Sequence, residues 1–382
     1  MQIYLSNPGL ITAAGNDSKA VFDAVCQKKS AIRKIENFYE NKSFMLGKID
    51  LNLDEICPKF QSKFANRTNQ ILFLALMQIE NEIKNAIAKF GCERVGVVIG
   101  TTVTGVQSNF KAFLNHAKTG EFSGYDLEQN SQGNPANFVR ELFGLKSVAL
   151  GVSSACTSGN KAVIEAARLI KSGVCDAVIC GGSDGLDTLT VLGFESLGVL
   201  SNERLNPFSI NRKGTNLGEG AGVFLLSKDE ISGICLLSYH SNSDAFHITQ
   251  PNPNATMQIK AIKNALNLVN LNEVDYVNLH GTGTNANDIM ESVALNSALT
   301  NTPCSSSKPI FGHTLGAAGA VELGICFLAL QNGILPPQIY DENQISPKIN
   351  LISEAKNASL KTAMNLSFAF GGDNAVSVIG KI

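Results

Sequence analysis

Continuous apolar runs alternate with amphipathic helical patterns along most of the chain, and this alternation limits the fold to α/β with buried, partly parallel sheets. RVGVVIG, residues 94–100, is a β-branched run bounded by glycine, as expected of a strand covered on both faces. CDAVICGGSDG, residues 175–185, repeats the pattern and runs into a glycine turn. Residues 221–227 and 232–242 read as a strand pair. NDSKAVFDAVCQKK opens on the capping residues Asn16 and Asp17 and reads as a helix, and residues 69–87 read as one long helix. The second half repeats the series: a helix at 255–270, a strand at 274–280, a helix at 288–300, then a turn into a long apolar helix after Pro309. TAMNLSFAF and NAVSVIGKI close the chain as strands around a Gly-Gly turn. The likeness of the two series points to an internal duplication.

Composition excludes several functions. Of 382 residues, 44% are hydrophobic and only 17% charged, and the formal net charge is -2. Nothing here makes a basic stripe for nucleic acid or an anionic membrane surface. So apolar a chain is expected to bury its elements deeply and to cover part of its surface in an oligomer. The N-terminus lacks the basic and apolar regions of a signal peptide, and no run of ~18 uninterrupted apolar residues marks a membrane span. The nine cysteines show no CxxC and no Cys/His zinc spacing, which fits reduced thiols in a cytoplasmic protein.

One thiol stands apart. In VALGVSSACTSGNKAVIEAARLIKSG, Cys156 falls where a strand pattern stops and a helix pattern starts. Val163, Ala166, Ala167 and Ile170 follow helical spacing, and Gly173 suits the cap beyond the last turn. A thiol at a helix N-terminus feels free N–H groups and the positive end of the dipole, so a lowered pKa is expected. Its small neighbours, Ser153 to Ala155 and Ser158 to Gly159, leave room for a carbonyl. Cys180 and Cys326, in apolar runs, read as core.

Of the five histidines, His116 reads as surface, His240 as part of a strand and His247 as part of a loop. His280 ends a buried strand run before GTGT, and His313 sits where an apolar helix begins. Such edges are where α/β folds place active-site groups. Lys308 and Glu322 flank His313, and pairing would let both be buried. Asp288 and Glu291 read simply as acids in a first helical turn. Phe370, before Gly371 and Gly372, lies in a turn that could bring a backbone N–H to a reacting oxygen or be a plain hairpin.

SSACTSG, NLHGTGTNANDIMES, SSSKPIFGHTLGAAGAVE and NLSFAFGGDNA occur in an order that resembles the signature segments of the β-ketoacyl-acyl-carrier-protein synthases, in their elongating Cys-His-His branch. NPFSINRKGTNLGEGAG and SDAFHITQPNP extend the resemblance over essentially the whole chain. It implies a thiolase fold, with a half at 1–232 carrying Cys156 and a half at 233–382 carrying His280 and His313. The halves would stack as five layers, α-β-α-β-α, around a shared active site.

The implied reaction is a decarboxylative Claisen condensation. Cys156 would hold the acyl chain, with the N–H groups of Cys156 and Phe370 as oxyanion hole. His280 and His313 would bind the malonyl carbonyl, and Lys308 with Glu322 would orient His313. Phe370 would gate the acyl pocket, and Thr282, Thr284, Gly371 and Gly372 would contact substrate. The resemblance implies no metal and no bound organic cofactor. Its partners would be acyl- and malonyl-loaded acyl carrier protein and a second subunit, either a copy of this chain or a related one, with no nucleic acid and no membrane.

The chain departs from the family's pattern in places. The segment between VIGTTVTGVQ and the Cys156 strand is short, Ala369 replaces a common glycine, Asp373 stands where threonine is common, and Ser209 and Asn211 replace charged residues. These departures point to a specialised member, of polyene or polyketide type. A thiolase would need a second cysteine in the C-terminal glycine turn, and chain-initiating synthases use asparagine in place of His313. A papain-like protease would need a different setting for its cysteine. A non-catalytic, chain-length-setting partner subunit is the remaining alternative, but such subunits lack the nucleophilic cysteine.

Overall fold

The computed structural model describes all 382 residues. Eleven strands join in one hydrogen-bonded network. In chain order they are β1 (Tyr4–Leu5), β2 (Gly9–Thr12), β3 (Val95–Gly100), β4 (Ala149–Val152), β5 (Ala177–Asp184) and β6 (Gly220–Ser227). They continue with β7 (Ile234–Ser243), β8 (Tyr276–Asn278), β9 (Cys304–Ser305), β10 (Thr362–Ala369) and β11 (Asp373–Lys381).

The network is two sheets of like design. In one, β3 lies between β4 and β5, parallel to both, and β6 pairs antiparallel with β5. In the other, β8 lies between β9 and β10, parallel to both, and β11 pairs antiparallel with β10. β2 adds to β6 in the first sheet, as β7 adds to β11 in the second. The two-residue β1 joins them, pairing with both β6 and β7. Residues 221–227 and 232–242 are therefore not direct neighbours, contrary to the sequence expectation. The N-terminal strand lies between them, a pairing with no local signal.

Eight helices are used below: α1 (Ser18–Cys26), α2 (Arg67–Met77), α3 (Glu80–Phe90), α4 (Asn134–Leu142), α5 (Ser158–Lys171), α6 (Thr256–Asn267), α7 (Asn285–Ala298) and α8 (Ala318–Asn332). α5 and α8 pack against each other and against strands of both sheets, forming the middle layer. α8 is buried from Ala318 to Leu330, which is why it is apolar all round. By length and composition residues 315–332 could cross a membrane, but the window is interrupted by Glu322 and 89% of it is buried inside the fold.

The strand faces explain the rest. Along β3, Val95, Val97 and Ile99 join Ile71 and Leu72 of α2 and Val139 of α4 in an outer core, while Val98 faces the central cluster with Val163 and Val321. On the far side Val277, Leu366 and Val378 pack with Ile262 of α6 and Met290 of α7. The layers thus run α-β-α-β-α. Each buried aliphatic side chain contributes about 1.5–3 kcal/mol.

The long helix expected at 69–87 is instead two, α2 and α3. Gln78, between them, bonds through Nε2 to Leu10 O (2.8 Å) and through Oε1 to the N–H groups of Leu10 and Ser18 (3.1 Å each). It clamps β2 to the start of α1, and the helix breaks where that clamp turns inward.

Candidate active site

Cys156 lies between β4 and α5 in a tight turn. Ala155 adopts a left-handed conformation (φ 51), and Ser158 Oγ accepts from Ser154 N at 2.9 Å. Two glycines allow the turn to sit deep. A Cβ on Gly100 would lie 2.4 Å from Ser158 C, and one on Gly159 would lie 2.8 Å from Gly316 O. This close approach brings the head of α5 against the segment that carries His313.

His313 follows Gly312, whose φ of 84 and backbone contact with Leu217 leave no place for a side chain. The His313 N–H donates to Asn216 O (2.8 Å), and Gly218 N donates to His313 O (2.9 Å). So held, His313 Nε2 stands 3.0 Å from Cys156 Sγ, and Nδ1 is buried without a partner.

His280 leaves the end of β8. Glu291 of α7 accepts from His280 N (2.7 Å) and Gly281 N (2.8 Å), so it fixes the strand-to-helix turn rather than merely starting a helix. Asp288 does similar work, accepting from Phe208 N (2.8 Å) and Gly283 N (3.2 Å). The His280 ring meets the His313 ring edge to face, with centroids 5.5 Å apart.

Lys308 and Glu322 form an ion pair with no solvent exposure. Lys308 Nζ also donates to His280 O (2.5 Å) and lies 3.4 Å from His280 Nδ1. The sequence expectation that this pair orients His313 is therefore corrected. Lys308 bonds instead to His280, beyond the end of β8.

Burial, and next the Lys308 ammonium, hold both histidines well below their ordinary range, so the rings are neutral. Burial pushes the Cys156 thiol up to about 12, outweighing the opposing pull of Lys308. This reverses the expectation of a lowered pKa. The head of α5 is buried, and desolvation of a thiolate there exceeds what the helix end offers. Burial also pushes Glu322 and Glu291 up, each to about 7, with Lys308 pulling Glu322 down and the Gly281 N–H pulling Glu291 down.

Cys156, His280, His313, Thr282, Thr284 and Phe370 all face one cavity of ≈ 50 Å³. The Thr282 and Thr284 hydroxyls are 3.0 Å apart. The Phe370 ring stacks on Phe194, with centroids 5.7 Å apart and planes 19° apart. Gly371 and Gly372, expected to contact substrate, do not line this cavity. They turn away from it with φ values of 80 and 75. Gly371 N donates to Ile248 O and Asp244 N to Gly372 O, each at 2.8 Å. Cys156, His280 and His313 also place a thiol and two imidazoles within 4.8 Å, a soft-metal donor set, but a cation there would face the Lys308 ammonium.

Two organising residues were missed from sequence. Asp184 ends β5 fully buried and accepts from Thr101 Oγ1 (2.6 Å), Val103 N (3.1 Å) and Gly316 N (2.7 Å), tying three segments beneath Cys156. Its signal was an acid in the glycine turn after a buried strand. Asp244 accepts from Asn252 N (3.1 Å) and Gln258 Nε2 (3.0 Å) and backs the Phe370 turn, where a Cβ on Gly372 would lie 1.9 Å from Asp244 Oδ1. Its only signal was its place in the SDAFHITQPNP segment.

Comparison with known proteins places this geometry. Residues 8–231 match the family model described as "Beta-ketoacyl synthase, N-terminal domain", and residues 234–340 match "Beta-ketoacyl synthase, C-terminal domain". Nodulation protein E of Rhizobium sp. (strain N33) is 32% identical over 405 residues, covering 98% of each chain. The 3-oxoacyl-[acyl-carrier-protein] synthase 2 of Vibrio harveyi is 28% identical, covering 100% of this chain and 99% of its own. A solved ketosynthase in complex with its chain length factor, from Xenorhabdus doucetiae, matches with TM-score 0.92 and 34% identity over 100% of this chain and 98% of the other. A β-ketoacyl synthase from Burkholderia phymatum STM815 matches with TM-score 0.90 and 25% identity over 100% and 99%. With both family domains matched and the fold shared end to end, this chain belongs to the β-ketoacyl synthase family.

Proposed function

We propose that the protein is a 3-oxoacyl-acyl-carrier-protein synthase, an acyltransferase in which Cys156 is the nucleophile. The observation that carries this reading is the 3.0 Å contact between Cys156 Sγ and His313 Nε2, in a cavity that His280 also faces. Cys156 sulfur attacks the acyl thioester. The carrier's C–S bond breaks, and the carrier sulfur leaves as a thiol with the proton that Cys156 gives up. The N–H groups of Cys156 and Phe370 serve as oxyanion hole. Malonyl-carrier protein then loses carbon dioxide, and the electron pair of the broken C–C bond moves into the thioester as an enolate. The neutral rings of His280 and His313 hold its oxygen. The enolate carbon attacks the acyl-Cys156 carbonyl, and the C–S bond breaks to release 3-oxoacyl-carrier protein and the Cys156 thiolate, which takes a proton from solvent to regenerate the thiol. Lys308 and Glu322 position His280 and set the local field. Thr282 and Thr284 line the approach.

The partners in this reading are acyl carrier protein and a second subunit. β4 has a neighbour on one side only, and Leu150 on it is 43% exposed, an edge suited to pairing with another chain. The Xenorhabdus relative is solved with a chain length factor, which supports a heterodimer as the alternative to a homodimer. A non-catalytic role for this chain is disfavoured, because Cys156, His280 and His313 are all present and grouped. The setting we favour is cytoplasmic, in keeping with nine unpaired thiols.

The test is Cys156→Ala, assayed with malonyl-carrier protein and an acyl primer. Condensation falls to background while the circular dichroism spectrum is retained. Product formation at the parent rate would sink the reading.

A further inference from the structure

The Phe370 turn is held on two sides. Asp244 and Ile248 hold Gly371 and Gly372 through backbone hydrogen bonds. On the other side Asp373, three residues after Phe370, reaches α5: its Oδ1 pairs with Lys161 Nζ at 2.6 Å, and its Oδ2 accepts from Thr157 Oγ1. Thr157 directly follows Cys156, and Lys161 is one helical turn further on. One carboxylate thus ties the head of the nucleophile's helix to the leg of the turn that carries Phe370. The pair is largely shielded, with side chains 23% and 19% exposed, so water screens it only in part.

Phe370 lines a cavity of ≈ 50 Å³, which has no room for a long acyl chain while the ring stays stacked on Phe194. Making room requires the ring to swing. Gly371 and Gly372, both at positive φ, are the only residues between the ring and Asp373, and a Cβ on Gly371 would meet nothing within 4 Å. The turn has a hinge, and Asp373 fastens the leg beside it.

We propose that Asp373 is a positioning residue, a latch on Lys161 and Thr157 that keeps the Phe370 turn closed over Cys156 and so governs how readily long acyl chains enter. This deepens the condensing-enzyme reading, which supplies the acyl chain as the natural occupant. The latch crosses between the two sheets, joining the first residue of β11 to the helix that begins beside Cys156. Its release frees the ring without moving His280 or His313, neither of which touches Asp373.

The experiment compares two alkylating probes on the full-length protein: iodoacetamide and a long-chain N-alkyl iodoacetamide. Modification at Cys156 is followed by intact mass, with the Cys156→Ala protein as blank for the other thiols. Asp373→Asn and Lys161→Met each raise the ratio of long-chain to short-chain rates about tenfold. The double variant gains no more than Asp373→Asn alone, because Lys161 acts only through the Asp373 carboxylate. If Asp373→Asn fails to fold, Lys161→Met carries the same measurement. An unchanged ratio, or an equal rise with both probes, overturns the latch. The probes need no acyl chemistry, so failure of the parent protein to accept acyl groups from carrier protein would defeat the condensing reading and leave the latch to be judged on the ratio. With carrier-protein substrates, the same variants speed loading of long chains over short ones and leave malonyl decarboxylation unchanged.

Discussion

The two central helices are reached from corresponding edge strands by links of very different length. From β4 to α5 the chain spends only residues 153–157, and from β9 to α8 it spends residues 306–317. The short link has space for one reactive group, Cys156, and a strained one-residue kink at Ala155. The long link folds a short helix at Lys308–Phe311 and a 3-10 turn at Leu315–Ala317. That extra length lets it send Lys308 inward to His280 and His313 across to Cys156. Two copies of one strand–helix plan thus do different jobs because one link was extended.

The edges differ as well. β9 is covered, with Cys304 N bonded to Asn350 O and Ile352 N to Cys304 O, each at 3.0 Å. β4 has no such cover. One half closes its sheet with its own chain, whereas the other leaves its edge open.

Breaking the long link should have the largest effect. Lys308→Met takes away the cation that pulls the Glu322 carboxyl down and leaves that carboxyl buried without its partner, which should cost about 3–5 kcal/mol in urea unfolding. Adding Glu322→Leu should recover most of the loss, and failure to do so would mean that Lys308 acts chiefly through His280. The open edge comes next. Leu150→Arg should shift the protein toward monomer in analytical ultracentrifugation, raising the dissociation constant at least about tenfold while leaving the monomer folded. An unchanged assembly would place the partner elsewhere.

A smaller effect follows from the neutral histidines. Both are held below the ordinary value of 6.5, so below that pH the unfolded chain binds protons that the folded chain refuses. The histidine contribution is therefore full above pH 6.5 and falls as the pH drops, by at most about 1.4 kcal/mol per pH unit for each histidine, whereas Glu291 and Glu322, raised to about 7, slope the opposite way. His280→Asn should flatten that acid slope in denaturation midpoints measured from pH 7.5 to about 5, and an unchanged slope would mean that His280 is charged in the fold. Smallest is the kink in the short link. Ala155→Gly should relieve its left-handed backbone and add about 0.5–1 kcal/mol to stability, and any loss would show that the Ala155 methyl packs usefully.

The sequence by itself determined the α/β alternation, the place of Cys156 at a strand–helix junction and the edge positions of His280 and His313. Each of these is local, written in hydrophobic periodicity and in the residues that stop it. The five-layer stacking and the grouping of the triad came from the family resemblance, since periodicity says nothing of which sheet faces which. Only the tertiary structure decided the rest. Gln78 breaks a helix to clamp residues 60 or more positions away. β1 separates two strands that follow one another in the chain. Lys308 chooses His280 over the nearer His313, and Asp373 reaches Lys161 across 212 positions. The Cys156 thiol is raised rather than lowered, because its ionisation depends on how much water the packed layers exclude, a sum over the whole fold that no short stretch of sequence contains.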